Sequence, residues 1–182
     1  MNAHIDPPAK IPFLLRLGIA LAEKMTGRRM LPARLLAWYP RAALGSGVLE
    51  ALVAHQDGRL NERILKLVRM AASYAVECPF CVDMNSYNYA ALGVTPVEVA
   101  ALRGQVGLES VESFSQLERL AIQYARLVSQ TPLKFHPDLI AQLKETFNER
   151  EIVILASTAA QVNYWARLIQ ALGVPPAGFM SE

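Results

Sequence analysis

"MAASYAVECPFCVDMNSYNYAALGVTPVEVAAL", residues 70–102, contains the chain's only two cysteines, Cys78 and Cys81, with Pro79 directly after the first. The segment reads as helix, break, helix. Apolar residues recur in threes and fours up to Val76, and Pro79 then restarts the pattern at the first position of a new helix, where a missing N–H costs nothing. On that reading Cys78 is the cap and Cys81 lies in the first turn. A helix N-terminus offers unpaired N–H groups and partial positive charge, and both favour thiolate over thiol. The residues alone leave three readings open: a redox pair, half of a metal site, or two inert buried thiols. A structural zinc site wants about four Cys or His ligands. Only His4, His55 and His136 are available, and none is near the pair in sequence. A thioredoxin-like context fails because the flanks are helical rather than βαβ.

Working outward, helical periodicity dominates and strand alternation is scarce. Thr95-Pro96-Val97-Glu98 and Ser115-Gln116-Leu117-Glu118 are capping boxes, and Asn148-Glu149-Arg150-Glu151 is a close variant. Gly27, Pro40, Gly58, Gly93, Thr131-Pro132, Pro137 and Gly173 punctuate the pattern. The breaks predict helices near 10–26, 33–39, 41–55, 61–76, 79–92, 96–103, 115–129, 137–146 and 149–172. The expected fold is a single all-α domain over 1–182, with 1–55 as a helical N-terminal extension.

Composition narrows the function classes. The chain has 182 residues, 53% hydrophobic, and 18 basic against 16 acidic side chains. Such a chain supports one sizeable core and is not a disordered sequence. The near-balanced charge gives no nucleic-acid footprint, and two cysteines do not make a disulfide-stapled secreted scaffold. "IPFLLRLGIALA" (11–22) is apolar but is interrupted by Arg16, is preceded by Asp6 rather than a basic region, and is too short to span a bilayer. It reads as a core or subunit-contact helix, and a cytoplasmic location without membrane association is expected. Apolar surface on 11–22 and 149–172 exceeds what one core covers, so a homo-oligomer is expected.

Residues 70–102 resemble the core motif of the carboxymuconolactone decarboxylase / alkylhydroperoxidase-D-like superfamily: a helix leading into CxxC, a second helix with a further polar residue four positions on, then a turn that here carries Gly93, Thr95 and Glu98. The tail "LIQALGVPPAGF" (168–179) resembles the end of a longer subgroup, and the likeness runs over about 60–179. The resemblance implies a helical bundle assembled as dimers, trimers or hexamers. It also implies thiol-dependent peroxidase chemistry without metal or organic cofactor. Cys81 would be the attacking thiolate, and Cys78 the resolving partner that meets a dithiol reductant protein or small thiol. The substrate would be a hydroperoxide. The superfamily's decarboxylase branch lacks the CxxC pair.

The match departs from the family's proton relay. Where the peroxidases of the family carry a histidine and a glutamate, this chain has Asn85 and Lys66. Asn85 hydrogen-bonds but does not titrate, and Lys66 is a poor base unless desolvated. Glu62, one turn earlier, is placed to pair with Lys66. Glu77 and Asp83 flank the cysteines, where a carboxylate raises a thiol pKa unless it serves as proton acceptor. The alternatives to a peroxidase are a redox-sensing helical oligomer without enzymatic activity and a lyase- or decarboxylase-like relative. Tyr74, Tyr87 and Tyr89 read as packing residues, Trp38 and Trp165 as core, and Asn163 with Arg167, one turn apart on the last helix, as a buried Arg–Asn contact within the chain or to a neighbouring subunit.

Overall fold

The computed structural model describes residues 3–53 and 55–180. Among the described residues nine α-helices follow one another: α1 (Phe13–Thr26), α2 (Leu31–Leu36), α3 (Pro40–Leu52), α4 (Glu62–Ala75), α5 (Pro79–Ser86), α6 (Pro96–Leu102), α7 (Gln116–Val128), α8 (Pro137–Thr146) and α9 (Glu149–Ala171). Short 3₁₀ turns lie at Tyr89–Leu92 and Leu108–Ser110. Among the described residues the extended pairing is a lone antiparallel bridge between Asp57 and Leu60. The all-α expectation therefore holds. No helix of the described residues is long and apolar enough to cross a membrane.

The three caps form as read. Thr95, Ser115 and Asn148 each accept the N3 backbone N–H, and Glu98, Glu118 and Glu151 each reach back to the cap. Asn61 caps α4 with a 3.0 Å bond from the Ile64 N–H. All three box glutamates have a second use: Glu151 pairs with Arg59, and the other two share one arginine. Arg63 on α4 donates to Glu98 at 2.6 Å and to Glu118 at 2.7 Å, tying α4 to the starts of α6 and α7. Glu98 is fully buried. Burial alone would raise its pKa, but bonds from Arg63, the Thr95 N–H and Ser113 hold it below the usual carboxylate range.

Helix α4 is the axis of the bundle. Leu65, Leu67, Val68, Met70 and Ala72 are buried on nearly every side of it, because α5, α7 and α9 all pack there. A larger apolar core joins α4, α7 and α9 around Leu67, Ile122 and Leu155. A smaller cluster gathers Leu35, Phe80, Ala166, Ile169 and Val174 around the two cysteines.

Four readings need correction. The predicted helix over 79–92 breaks after Ser86. Tyr87 is extended (ψ 133°) and Asn88 is left-handed (φ 52°), a conformation that asparagine tolerates better than most residues. The Lys66 ammonium donates to the freed Tyr87 carbonyl at 2.7 Å, which helps hold the break. The helix placed at 33–39 runs over 31–36, with Pro32 in its first turn. Trp38 is 62% exposed rather than core, its indole N–H donating to the Asp6 carbonyl. The helix placed at 41–55 ends at Leu52, and Ala54 lies outside the described residues.

Candidate active site

Cys78 is the cap of α5 and Pro79 opens the helix, as the motif predicts. The Cys78 sulfur accepts the Cys81 N–H at 3.2 Å, and the two sulfurs are bonded as a disulfide with Cα atoms 5.2 Å apart. The preceding residue, Glu77, takes φ 49° to turn the chain from α4 into α5. Both cysteines are buried, at 0% and 2% exposure.

Cys81 forms part of the wall of a cavity of about 210 Å³. One side belongs to the bundle: Arg69 of α4, Phe80, Met84 and Asn85 of α5, and Gln161 and Trp165 of α9. The other side comes from the N-terminal helices, through Ala22, Thr26, Met30, Pro32, Ala33 and Glu50. Glu50 accepts the Trp165 indole N–H and the Gln161 amide N–H, both at 2.9 Å. Burial lowers the pKa of Arg69, and the charge of Glu50 opposes that shift.

The sequence-selected residues separate into three groups. Asn85 does reach the Cys81 cavity, but its amide donates to the Ser73 hydroxyl at 2.9 Å. Ser73 is fully buried and gave no signal in the sequence. Lys66 does not pair with Glu62; it bonds Tyr87 from a half-buried position. Burial, reinforced by the charge of Arg69, lowers its pKa to about 8. Glu62 is exposed in the first turn of α4, roughly 20 Å of helix from Ala75. Glu77 is exposed and faces an open polar groove, together with Lys134 and Arg167.

Asp83 is the clearest surprise. Its carboxylate accepts three backbone N–H bonds from the C-terminal tail: Gly178 at 2.8 Å, Phe179 at 3.1 Å and Met180 at 2.9 Å. It is buried, and Phe179 packs on Tyr87 with ring centroids 5.8 Å apart. Asp83 is therefore an anchor for the tail, both of its oxygens engaged by backbone N–H groups. The tail in turn supplies Val174 and Ala177 to the cluster around the disulfide.

Asn163 bonds the Ser129 hydroxyl and the Ala159 carbonyl, so the expected Asn163–Arg167 contact gives way to one between α9 and the end of α7. Tyr74 shares a hydrogen bond with Ser86, and Tyr89 packs on the core. His136 caps α8, and His55 bonds the Ala51 carbonyl. No group of three or more His, Cys, Asp or Glu side chains among the described residues is arranged to hold a metal ion.

Comparison with known proteins agrees with this geometry. Residues 43–122 match the family model of the carboxymuconolactone decarboxylase family. The uncharacterized protein YnjA of Escherichia coli is 25% identical over 177 residues, spanning 96% of this chain and 94% of that protein. The uncharacterized protein YdfG of Bacillus subtilis is 25% identical over 119 residues, 65% of this chain and 79% of that one. Among solved structures, an uncharacterized peroxidase-related protein with an alkylhydroperoxidase AhpD core from Ralstonia eutropha superposes with TM-score 0.78 at 17% identity, over 97% of this chain and 93% of its own. A Cys-to-Ala variant of the debrominase Bmp8, in complex with 2,3,4-tribromopyrrole, superposes with TM-score 0.77 at 18% identity, over 95% and 91%. At these identities the structures establish a shared fold. Family model and fold together agree with the resemblance read from residues 70–102: residues 43–122 match the carboxymuconolactone decarboxylase family model, and the chain shares its fold with structures of the alkylhydroperoxidase core.

Proposed function

We propose that the protein is a thiol-dependent redox enzyme that reduces organic hydroperoxides through Cys78 and Cys81. One observation carries the reading: a disulfide-bonded pair at a helix start, with Cys81 in the wall of an apolar cavity. In the reduced protein the Cys81 thiolate, favoured by the helix N-terminus, attacks the peroxide's terminal oxygen. An S–O bond forms, the O–O bond breaks, and the alcohol leaves after taking up a proton. Cys78 then attacks the sulfenic sulfur, which releases water and closes the disulfide. A dithiol protein or small thiol restores both thiols.

Lys66 and Asn85 occupy the positions of the family's relay. With its pKa near 8, Lys66 can exchange protons close to neutrality. Its partner Tyr87 lies just past the end of the cysteine helix. Asn85 serves as a polar orienting group beside Cys81. Glu62, Glu77 and Asp83 are left out of proton transfer in this scheme.

The assay is hydroperoxide consumption coupled to dithiothreitol, with Cys81→Ser as the blank. The burial of both sulfurs favours one second reading, a redox-sensing oligomer that cycles its disulfide without turnover. Single-turnover disulfide formation with no steady-state consumption selects it. The debrominase neighbour adds small halogenated rings to the substrate screen.

We also propose a cytoplasmic homo-oligomer. Phe13, Leu14, Leu17, Leu21 and Met25 of α1 and Leu44, Val48 and Leu52 of α3 expose large apolar side chains that a second copy would cover. A light-scattering mass near that of one 20.1 kDa chain across micromolar concentrations would refute this.

A further inference from the structure

We propose that the N-terminal helices form a cap that makes the Cys81 cavity a site for a neutral organic molecule of about one-ring size, with Met30 and Ala33 setting the size limit. This deepens the function proposed above and rests on it for the chemistry, though not for the binding.

Volume is the first argument. About 210 Å³ lies above the ~150 Å³ of an apolar cavity that takes benzene. It lies below the ~300 Å³ at which pockets for drug-sized ligands begin. A single ring or a short branched chain fits, and a fatty acyl chain does not. Hydrogen peroxide would leave most of the apolar wall without contacts.

Charge is the second argument. The charged groups on the wall are Arg69 and Glu50, of opposite sign. Glu50 is already engaged by Trp165 and Gln161. The wall therefore carries no net charge, and an anionic ligand approaching Arg69 would also meet the Glu50 carboxylate.

Construction is the third argument. Met30, Pro32 and Ala33 lie outside the matched segment 43–122 and come from the turn and short helix that follow α1. The turn that presents them is held by its own clamp. Glu23 of α1 accepts from Arg34 at 2.7 and 2.6 Å and from the Met30 N–H at 3.0 Å. Helix α1 itself buries only Ile19. Side chains here can change size without passing through the main core around α4.

The test uses the reduced Cys78→Ser protein, whose sole thiol is Cys81, and neutral alkylating probes of graded size. Iodoacetamide and N-phenyl iodoacetamide should label Cys81, while N-naphthyl iodoacetamide and the anion iodoacetate should react at least tenfold more slowly. Met30→Ala should restore naphthyl labelling by tenfold or more. Met30→Trp and Ala33→Leu, which fill the cavity from the cap side, should suppress phenyl labelling. In the protein with both cysteines, the same cap variants should shift hydroperoxide preference between cumene and fatty acid hydroperoxides. Failure of iodoacetamide to reach Cys81, or a size order indifferent to all three cap variants, overturns the cap. A size order that follows the cap with no hydroperoxide turned over upholds the cap and defeats the peroxidase reading.

Discussion

Replacing Asp83 with alanine should loosen the C-terminal tail and destabilise the oxidised protein by about 2–4 kcal/mol. The carboxylate accepts three backbone N–H bonds, from Gly178, Phe179 and Met180. Hydrogen bonds to a charged group contribute roughly 1.5–3 kcal/mol each, so a naive sum is far larger. Two effects cut it down. The buried carboxylate has lost its own hydration. The Gly178 and Met180 N–H groups are only partly buried, so they regain water when the tail lifts. Phe179 adds to the loss, since fully burying such a side chain is worth about 1.5–3 kcal/mol. For a chain of this size the midpoint of thermal unfolding should fall by roughly 5–15 °C. The assay is urea and thermal unfolding of Asp83→Ala, of a chain ending at Ala177, and of the two combined. If Asp83 acts through the tail, the combined variant costs little more than truncation alone, a coupling of about 2 kcal/mol. Additivity within about 0.5 kcal/mol, or a single-variant loss below that value, would refute the anchoring role.

Arg63→Gln should cost about 3–5 kcal/mol, because it leaves two buried box glutamates without their cation. In the wild type the lowered pKa of Glu98 gives stability that is present above the unfolded value of ~4.3 and is lost as pH falls through the folded value below it. In Arg63→Gln burial prevails, so acid unfolding should begin at higher pH. Lys66 has the opposite sign. Its folded pKa of about 8 is below the unfolded value of ~10.4, so its burial penalty is full below pH 8 and is relieved as pH rises between the two. Lys66→Met should flatten the stability profile over that window, and an unchanged profile would contradict this. Asn85→His should raise peroxide turnover toward the low end of the ~10²–10⁴-fold typical of acid–base catalysis. Slower turnover would mean that the Asn85–Ser73 bond matters more than a titrating group.

Local chemistry made much of the fold legible. Each capping box is a short-range hydrogen-bond pattern, so Thr95, Ser115 and Asn148 could be placed without knowing what packs on them. The same holds for Cys78 at the start of α5. The break at Tyr87–Asn88 was local too, but its polar Ser-Tyr-Asn run was outweighed by apolar residues on both sides. The rest depends on tertiary partners. Asp83 meets an N–H cluster some 95 residues away in the chain. Arg69, Glu50 and Trp165 sit on three different helices and converge only when α3 and α9 close over α4. No spacing rule links them, and neither Ser73, one small residue within 70–102, nor Met30 stands out from its neighbours in sequence. Trp38 shows the reverse case, an aromatic whose composition suggests core but whose helix end leaves it on the surface.

The central claim is that Cys81 attacks a hydroperoxide and Cys78 resolves it. The most direct measurement is thiol counting by mass spectrometry on dithiothreitol-reduced protein mixed with one equivalent of cumene hydroperoxide. The account predicts that two thiols per chain disappear and one cumyl alcohol forms, with a Cys78–Cys81 disulfide as product. Cys78→Ser should stop at a sulfenic acid on Cys81, and Cys81→Ser should produce no alcohol above background. Persistence of both thiols in the folded wild type, or alcohol formation undiminished in Cys81→Ser, would contradict it.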